Sequence, residues 1–433
     1  MSPPTIGLIG IFVFLFLALL GVPLGFAFTA VGVLGIVLLK GLGAGLLILG
    51  QAPYEWTASY VLSTIPLFIL MGQFAFQSGI STDLYRTAYK WMGRLPGGLA
   101  LATMFACTGF AACTGSSLAS AATMGTVAYP EMKRYNYSDR LSTGSIAVGG
   151  TLGILIPPST MFIIYGIVTE TSIGDLFVAG IIPGLMLATL FILLIYVMCR
   201  INPGLGPPAA ETFSLKEKIA SLSGVWGMLS IFILVIGGLY FGIFAPSEAG
   251  AIGAFGALLI SLIRRRITWS SGFGALKDTA KTTSFILFVF VGAMIFNTFI
   301  SISALPRLVT QLITGIHASP TVILIIIVAF YLPLGMVIEG MSMILLTIPF
   351  VFPVITTLGF DPVWFGVLMV VLVEVSFISP PIGINLFVVQ GITKVPLHDV
   401  VIGIVPFVVS FLIGLAILIA FPQVSLFLPR LMH

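Results

Sequence analysis

Apolar runs of helical length fill this chain from end to end, separated by short polar or basic stretches. Spans of roughly 20 residues, enough to cross a bilayer, read at 5–20, 24–40, 60–79, 177–199, 223–244, 246–263, 283–303 and 398–421. Four stretches depart from that form. Residues 95–131 and 320–356 are equally long, are bounded by polar or basic sequence, and carry small polar residues or a carboxylate near their middle. Each predicts a re-entrant helical hairpin. Residues 141–173 and 361–393 each hold a double proline near their centre. Proline removes an amide donor and blocks the carbonyl four residues back, so each pair predicts a spanning helix broken in mid-membrane. Non-helical backbone survives at that depth only when buried in protein or lining a wet cavity.

The two proline pairs share a register. Pro157–Pro158 maps onto Pro380–Pro381 at an offset of 380 − 157 = 223, and the same offset carries Pro130 onto Pro353, Gly180 onto Gly403 and Pro183 onto Pro406. Five coincident landmarks predict an internal duplication. The expected division is N-terminal scaffold helices over 1–59, a first repeat over 60–199 and a connector with two scaffold helices over 200–282. A second repeat over 283–421 and a tail over 422–433 complete it. Asp83, Arg86, Lys90 and Arg94 fall on one face of an amphipathic connector, and 305–318 is its repeat equivalent. Paired surface helices of this kind suit arms that hold a moving unit in a fixed frame.

Composition sharpens the class. The 433 residues are 59% hydrophobic and 7% charged, against about 25% charge in soluble domains. The apolar runs exceed the roughly 10 alternating residues of a barrel strand, so the fold class is an all-α polytopic membrane protein. Residues 5–20 read as a first transmembrane helix and not a signal peptide, since no Lys or Arg precedes them. Placing both termini outside puts 18 − 3 = 15 of the 18 Lys and Arg in cytoplasmic loops, leaving Lys40, Arg307 and Arg430 outside. That satisfies the positive-inside rule. The first hairpin then opens from the cytoplasm and the second from the exterior, the inverted-topology arrangement of secondary transporters.

The net charge of +4 implies topology signals and no nucleic-acid partner. Cys107, Cys113 and Cys199 lack CxxC spacing and read as packed thiols. His317, His398 and His433 are scattered, so no metal cluster is expected. No GxxxxGK[ST] loop exists, so ATP does not drive this chain directly.

Four polar clusters converge if the repeats pack about a pseudo-twofold axis. They are Thr114-Gly115-Ser116-Ser117, Pro157-Pro158-Ser159-Thr160, Glu339-Gly340-Met341-Ser342, and Ser379-Pro380-Pro381-Ile382-Gly383 with Asn385. Glycines close tight turns, prolines free carbonyls, and hydroxyl and amide groups add oxygens. An oxygen-rich, mostly neutral cage at half-helix ends suits Na⁺, and helix N-termini facing it favour an anionic substrate. Alone, Gly-Ser-Ser is more often a close helix contact and Pro-Pro a kink. Four clusters in two registered copies favour a transport site. Intramembrane carboxylates are functional by default. Glu339 at the second tip either serves the site or caps the tip. Glu374, six residues before Pro380, could pair with a cation-site hydroxyl, relay a proton or anchor the transport unit to its neighbour, and reads as support behind the site more than as a direct ligand. Glu248, in APSEAG after Ser247, predicts a capped external turn.

At these residues the chain closely resembles the large membrane subunit of tripartite ATP-independent periplasmic (TRAP) transporters, the DctM-like M subunit. The matching stretches are IPLFILMGQFAFQSGI (65–80), LPGGLALAT (95–103), TGSSLASAATMG (114–125), GGTLGILIPPS (149–159), SIGDLFVAGIIPG (172–184), APSEAGAIGA (245–254) and SPPIGINLFVV (379–389). The resemblance implies a secondary active transporter of the bacterial inner membrane, not an enzyme. It implies Na⁺-coupled uptake of an organic acid anion such as a C4-dicarboxylate, sialic acid or related sugar acid. A periplasmic binding protein (the P subunit) would deliver the substrate, and a separate small four-helix subunit (the Q subunit) would complete an elevator complex. No cofactor is implied beyond Na⁺ as coupling ion. By motif, the cation site maps to Gly115, Ser116 and Ser117, to the Gly153–Ser159 break with Pro157 and Pro158, to Glu339, Gly340, Met341 and Ser342, and to Ser379, Pro380, Pro381, Gly383 and Asn385. Ser379 stands where Thr is more usual; the hydroxyl is retained. The competing readings are a proton-coupled or binding-protein-independent carrier of the same superfamily, and an intramembrane enzyme acting on lipid. The latter needs a paired acid or nucleophile–base set, and only Glu339 and Glu374 are available.

Overall fold

The computed structural model describes residues 1–209, 211–315, 318–380 and 383–432, and helices are its only regular elements. The chain opens with α1 (Pro3–Leu19), α2 (Leu24–Lys40), α3 (Leu42–Thr57) and α4 (Thr64–Gln77). A short α5 (Ile80–Met92) leads to a helical hairpin, α6 (Gly98–Thr114) and α7 (Ser117–Arg134). Next come α8 (Asp139–Leu155) and α9 (Thr160–Thr169), bent by 40° where the double proline lies, and then the long α10 (Ile173–Ile201).

The connector holds α11 (Leu215–Ser221), α12 (Trp226–Phe232) and α13 (Gly238–Tyr240), the last two joined by a π-helical stretch. After them run α14 (Pro246–Ile263) and α15 (Trp269–Ile302). The element series then recurs as α16 (Leu305–Thr314), the hairpin α17 (Pro320–Gly335) and α18 (Gly340–Thr357), α19 (Pro362–Ile378), α20 (Ile384–Thr393) and α21 (Leu397–Ala420). The chain closes on α22 (Gln423–Met432). Among the described residues, six helices are individually long and apolar enough to cross a membrane, and up to eight do so if each bent pair is one span.

Element boundaries keep the register of the prolines. The second hairpin arms start at Ser117 and Gly340 (340 − 117 = 223), and the pre-break helices start at Asp139 and Pro362 and end at Leu155 and Ile378. The N-caps of α7 and α18 are Ser116 and Glu339, again 223 apart. Burial keeps it too. Every residue of Leu141–Leu155 and of Trp364–Ile378 is buried, so α8 and α19 occupy the centre of the molecule. A helix buried on all sides must satisfy its own polar side chains. In α8 the hydroxyls of Ser142, Thr143, Ser145 and Thr151 each donate to a carbonyl one turn back, at 2.6–3.0 Å.

Around this centre, α2 packs along α15 and α14 along α4. Phe14 stacks on Phe28 at 4.1 Å between ring centroids, and both contact Phe296. In lipid, such packing and interhelical hydrogen bonds replace the hydrophobic effect as the cause of helix association. At one end of α14, Arg264 donates to Asp83 Oδ2 at 2.6 Å and to the Gly224 carbonyl at 3.1 Å, fastening α5 to the connector.

Several sequence expectations shift in detail. The span expected at 283–303 begins at Trp269, because Thr268 caps a continuous helix that no breaker interrupts until Ser303. Helices α3, α11 and α22 lie where no element was expected. Arg94 falls beyond the end of α5, and Asp83 on its expected polar face is packed against Arg264. Glu248 does close a helix start, accepting from Ala245 N at 2.8 Å, while Ser247 lies buried inside α14.

Candidate functional site

The first hairpin tip rests on the first helix break. Thr114 ends α6, Gly115 turns the chain at φ +58°, and Ser116 begins α7 by accepting from Ala119 N at 3.3 Å. Gly115 is required here on two counts. Its φ lies in the left-handed region, and a Cβ would stand 2.7 Å from the Pro158 carbonyl oxygen. The Gly115 carbonyl accepts from Thr160 Oγ1 at 3.3 Å, and Gly153 lies against the Ser116 carbonyl and Ser120. Ser159 caps α9, accepting from Phe162 N at 3.4 Å. Backbone oxygens of Pro158, Gly115 and Ser116 thus gather with the Thr160 and Ser116 hydroxyls, beside the Thr114–Ser120 hydroxyl pair at 2.9 Å.

The second tip is built likewise with one substitution of chemistry. Glu339 stands where the first repeat has Ser116 and caps α18 with both oxygens, accepting from Met341 N at 3.1 Å and Ser342 N at 3.2 Å. Of the two roles open to Glu339, capping the tip is the one its bonds show. Gly340 packs on Val373 and Phe377, and Ser342 is fully buried. Ser379 Oγ donates to Val375 O at 2.7 Å within its own helix, at the end of α19 beside Pro380. Gly383 lies near the Ser379 carbonyl and caps α20. Pro381 and Ile382 lie outside the described residues.

Asn385 joins the repeats. Its Nδ2 donates to Ser117 Oγ at 2.7 Å and to the Ala147 carbonyl at 3.3 Å, so the start of α20 grips both the first hairpin and α8. The contact is reciprocal, since α18 of the second hairpin packs on α9 of the first broken helix.

A cavity flanks each tip. One of about 470 Å³ lies between the first tip and helices α4 and α15, lined by Gln73, Thr114, Ser116, Thr123, Thr160 and Thr282 among apolar neighbours. The other, about 330 Å³, lies between the second tip and the α1–α2 turn, with Glu339, Ser376 and Gly383 in its wall. Phe285 of α15 lines the second cavity and Ile286 the first, so one helix separates them. Among the described residues, no Lys or Arg lines either. Gln73, Thr123 and Thr282 were not anticipated; a lone amide or hydroxyl within an apolar run, as in LMGQFAF, was the available signal.

The profile of the tripartite ATP-independent periplasmic transporter DctM component matches residues 11–424. The chain belongs to this family. Among its relatives, the C4-dicarboxylate TRAP transporter large permease protein DctM of Pseudomonas aeruginosa is 35% identical over 87% of this chain and 88% of its own. The sialic acid TRAP transporter large permease protein SiaM of Vibrio cholerae is 31% identical over 97% and 98%. The solved YdaH transporter of Alcanivorax borkumensis superposes with a TM-score of 0.65 at 15% identity, covering 88% of this chain and 89% of that one. That likeness speaks to fold alone. The chain is thus a TRAP large permease subunit, a multi-pass membrane transporter component and not an enzyme.

Proposed function

We propose that this TRAP permease imports an organic acid anion across the bacterial inner membrane, driven by Na⁺, with both termini on the periplasmic side. The observation that carries this reading is the meeting of hairpin tips and helix breaks around neutral oxygens, with a cavity beside each tip. Backbone carbonyls at Gly115, Ser116 and Pro158 suit a weakly held monovalent cation. The second tip, through the buried Ser342 hydroxyl, Glu339, Ser379 and Gly383, supplies the companion site. The larger cavity takes the substrate. Among the described residues its lining has no cationic side chain, so the anion is held by hydroxyl and amide donors and by the N-terminal ends of α7 and α9, which carry partial positive charge.

Orientation follows from the basic loops and makes the two repeats antiparallel. A unit built from both hairpins and both broken helices slides against α1–α4 and α14–α15, with α5 and α16 as arms. That is an elevator, and it needs a small membrane subunit on the outer helices and a periplasmic binding protein to deliver substrate. Relatives named for a C4-dicarboxylate, for sialic acid and for isethionate support an organic acid anion as the substrate class. Reconstituted with both partners in proteoliposomes, the complex should accumulate substrate under an inward Na⁺ gradient and only with binding protein present. Uptake driven by a pH gradient alone, or without binding protein, overturns this reading.

A further inference from the structure

Beyond the first hairpin tip, α7 turns one face to two successive cavities. Ala119 and Thr123 line the cavity beside the tip. Val127 and Glu131, four and eight residues further on, line another of about 360 Å³. Four helical residues advance about 6 Å, so the two spaces follow one another along α7 towards the side that the basic loops assign to the cytoplasm. The arm α5 forms another wall of the second space, through Thr82, Tyr85, Arg86 and Tyr89. Arg86 is exposed, and among the described residues none of the ion pairs includes it. Tyr85 is only 4% exposed, and its hydroxyl is buried without a partner. An unsatisfied buried hydroxyl costs free energy that a bound polar group would recover. The Tyr89 hydroxyl is already engaged with Tyr135 and Glu211. Glu131 lies 4.0 Å from Arg134, which offsets part of its charge.

We propose that Arg86 and Tyr85 form an anion subsite on the exit path, which takes the carboxylate of the transported acid as it leaves the first cavity for the cytoplasm. The subsite deepens the import reading above and rests on it. Arg86 supplies the full positive charge that the first cavity lacks among its described residues. A guanidinium matches a carboxylate with two parallel N–H donors, and Tyr85 donates its free hydroxyl from the buried end. Glu131 repels a second carboxylate. The subsite therefore favours an acid with one carboxylate and neighbouring hydroxyls over a dicarboxylate. An exposed guanidinium binds weakly, which suits release, since a tight site here would retain the product. A topology signal alone asks only for a charge at the surface and leaves the Tyr85 hydroxyl unexplained.

The test uses the full chain in lipid nanodiscs without Na⁺, with Val127→Cys as reporter. The three native cysteines are buried, and the chain without the reporter gives the blank. Labelling by an anionic methanethiosulfonate (sulfonatoethyl) is compared with labelling by a cationic one (trimethylammonioethyl). One positive charge acts on the two reagents in opposite senses. Arg86→Gln should therefore lower the anionic-to-cationic rate ratio by about three- to tenfold at low salt, and Arg86→Lys should keep most of it. Potassium gluconate, set against potassium chloride at equal ionic strength, should slow labelling by a neutral methanethiosulfonate, and potassium succinate should slow it less. Arg86→Gln should abolish that protection, and Tyr85→Phe should raise the gluconate needed by about fivefold, the order of one hydrogen bond. A rate ratio that Arg86→Gln leaves unmoved, protection that survives it, no protection at all, or a reporter closed to every reagent would overturn the subsite. Succinate outdoing gluconate would overturn its preference. None of these readouts uses a Na⁺ gradient, so their failure leaves the import reading standing. Absence of Na⁺-driven uptake defeats that reading, and with it the transport role of the subsite, even where gluconate protects.

Discussion

Gly115 is held by steric necessity and Ser116 and Ser117 by hydrogen bonding, so the first tip responds differently to each substitution. Gly115→Ala adds a methyl to a left-handed residue pressed on Pro158, at about 1–2 kcal/mol of local strain. Uptake by this variant should need more Na⁺ for half-activation, read from a Na⁺ titration of transport in proteoliposomes. Ser116→Ala with Ser117→Ala removes a cap and the acceptor of Asn385. Expression should survive while Na⁺ dependence weakens; an unchanged activation curve would count against these hydroxyls. At the second tip, Glu339→Ala leaves the Met341 and Ser342 amides unpaired. It should lower unfolding stability by about 1 kcal/mol, the usual worth of an N-cap, in a denaturation series of the purified chain.

Helix breaks and helix crossings carry function at the level of elements. Replacing Pro380–Pro381 with Ala-Ala restores the amide donor and relieves the clash that stops α19. The expected result is a continuous helix and no uptake; wild-type transport would mean that the interruption has no role. The crossing of α8 with α21 depends on absent side chains. A Cβ on Gly144 would lie 2.3 Å from the Gly403 carbonyl oxygen, and one on Gly403 would lie 2.2 Å from the Arg140 carbonyl oxygen. Arg140 Nε meets Asp399 Oδ1 at 2.9 Å above the same crossing. Gly403→Leu should force the helices apart and destabilise by about 1–3 kcal/mol, the range for overpacking. Arg140→Ala should change stability little, because that pair is half-exposed and such pairs contribute 0–1 kcal/mol. Thermal unfolding of the two variants side by side checks the contrast.

For the molecule as a whole, the cavity beside the first tip lies at the seam between α4 and α15 on one side and the first hairpin on the other. Gly72 of α4 approaches Thr114 closely there, with a Cβ position 3.2 Å from the Thr114 Cα. In a background without Cys107, Cys113 and Cys199, Gly72→Cys with Thr114→Cys should form a disulfide under oxidation. If the hairpin unit slides past α4, the cross-link should abolish uptake and reduction should restore it. Full transport by the oxidised form would exclude that motion.

Apolar length, basic loops and paired prolines report the bilayer and the chain's local backbone chemistry, and they are written in linear order. They carried the class, the two hairpins and breaks, the 223-residue register and the family. Burial pattern was less visible: α8 and α19 are enclosed on all sides, but an apolar helix reads the same whether lipid or protein surrounds it. The start of α15 and the short α11 were hidden because polar surface helices lack a hydropathy signal, and α3 and α22 because they fall short of the roughly 20 residues of a span. Which oxygens meet was hidden altogether. Asn385 and Ser117 are 268 positions apart, and their bond depends on what three-dimensional packing brings within hydrogen-bond distance. Contact across that separation is settled by how helices stack, a property that no local stretch of chain encodes.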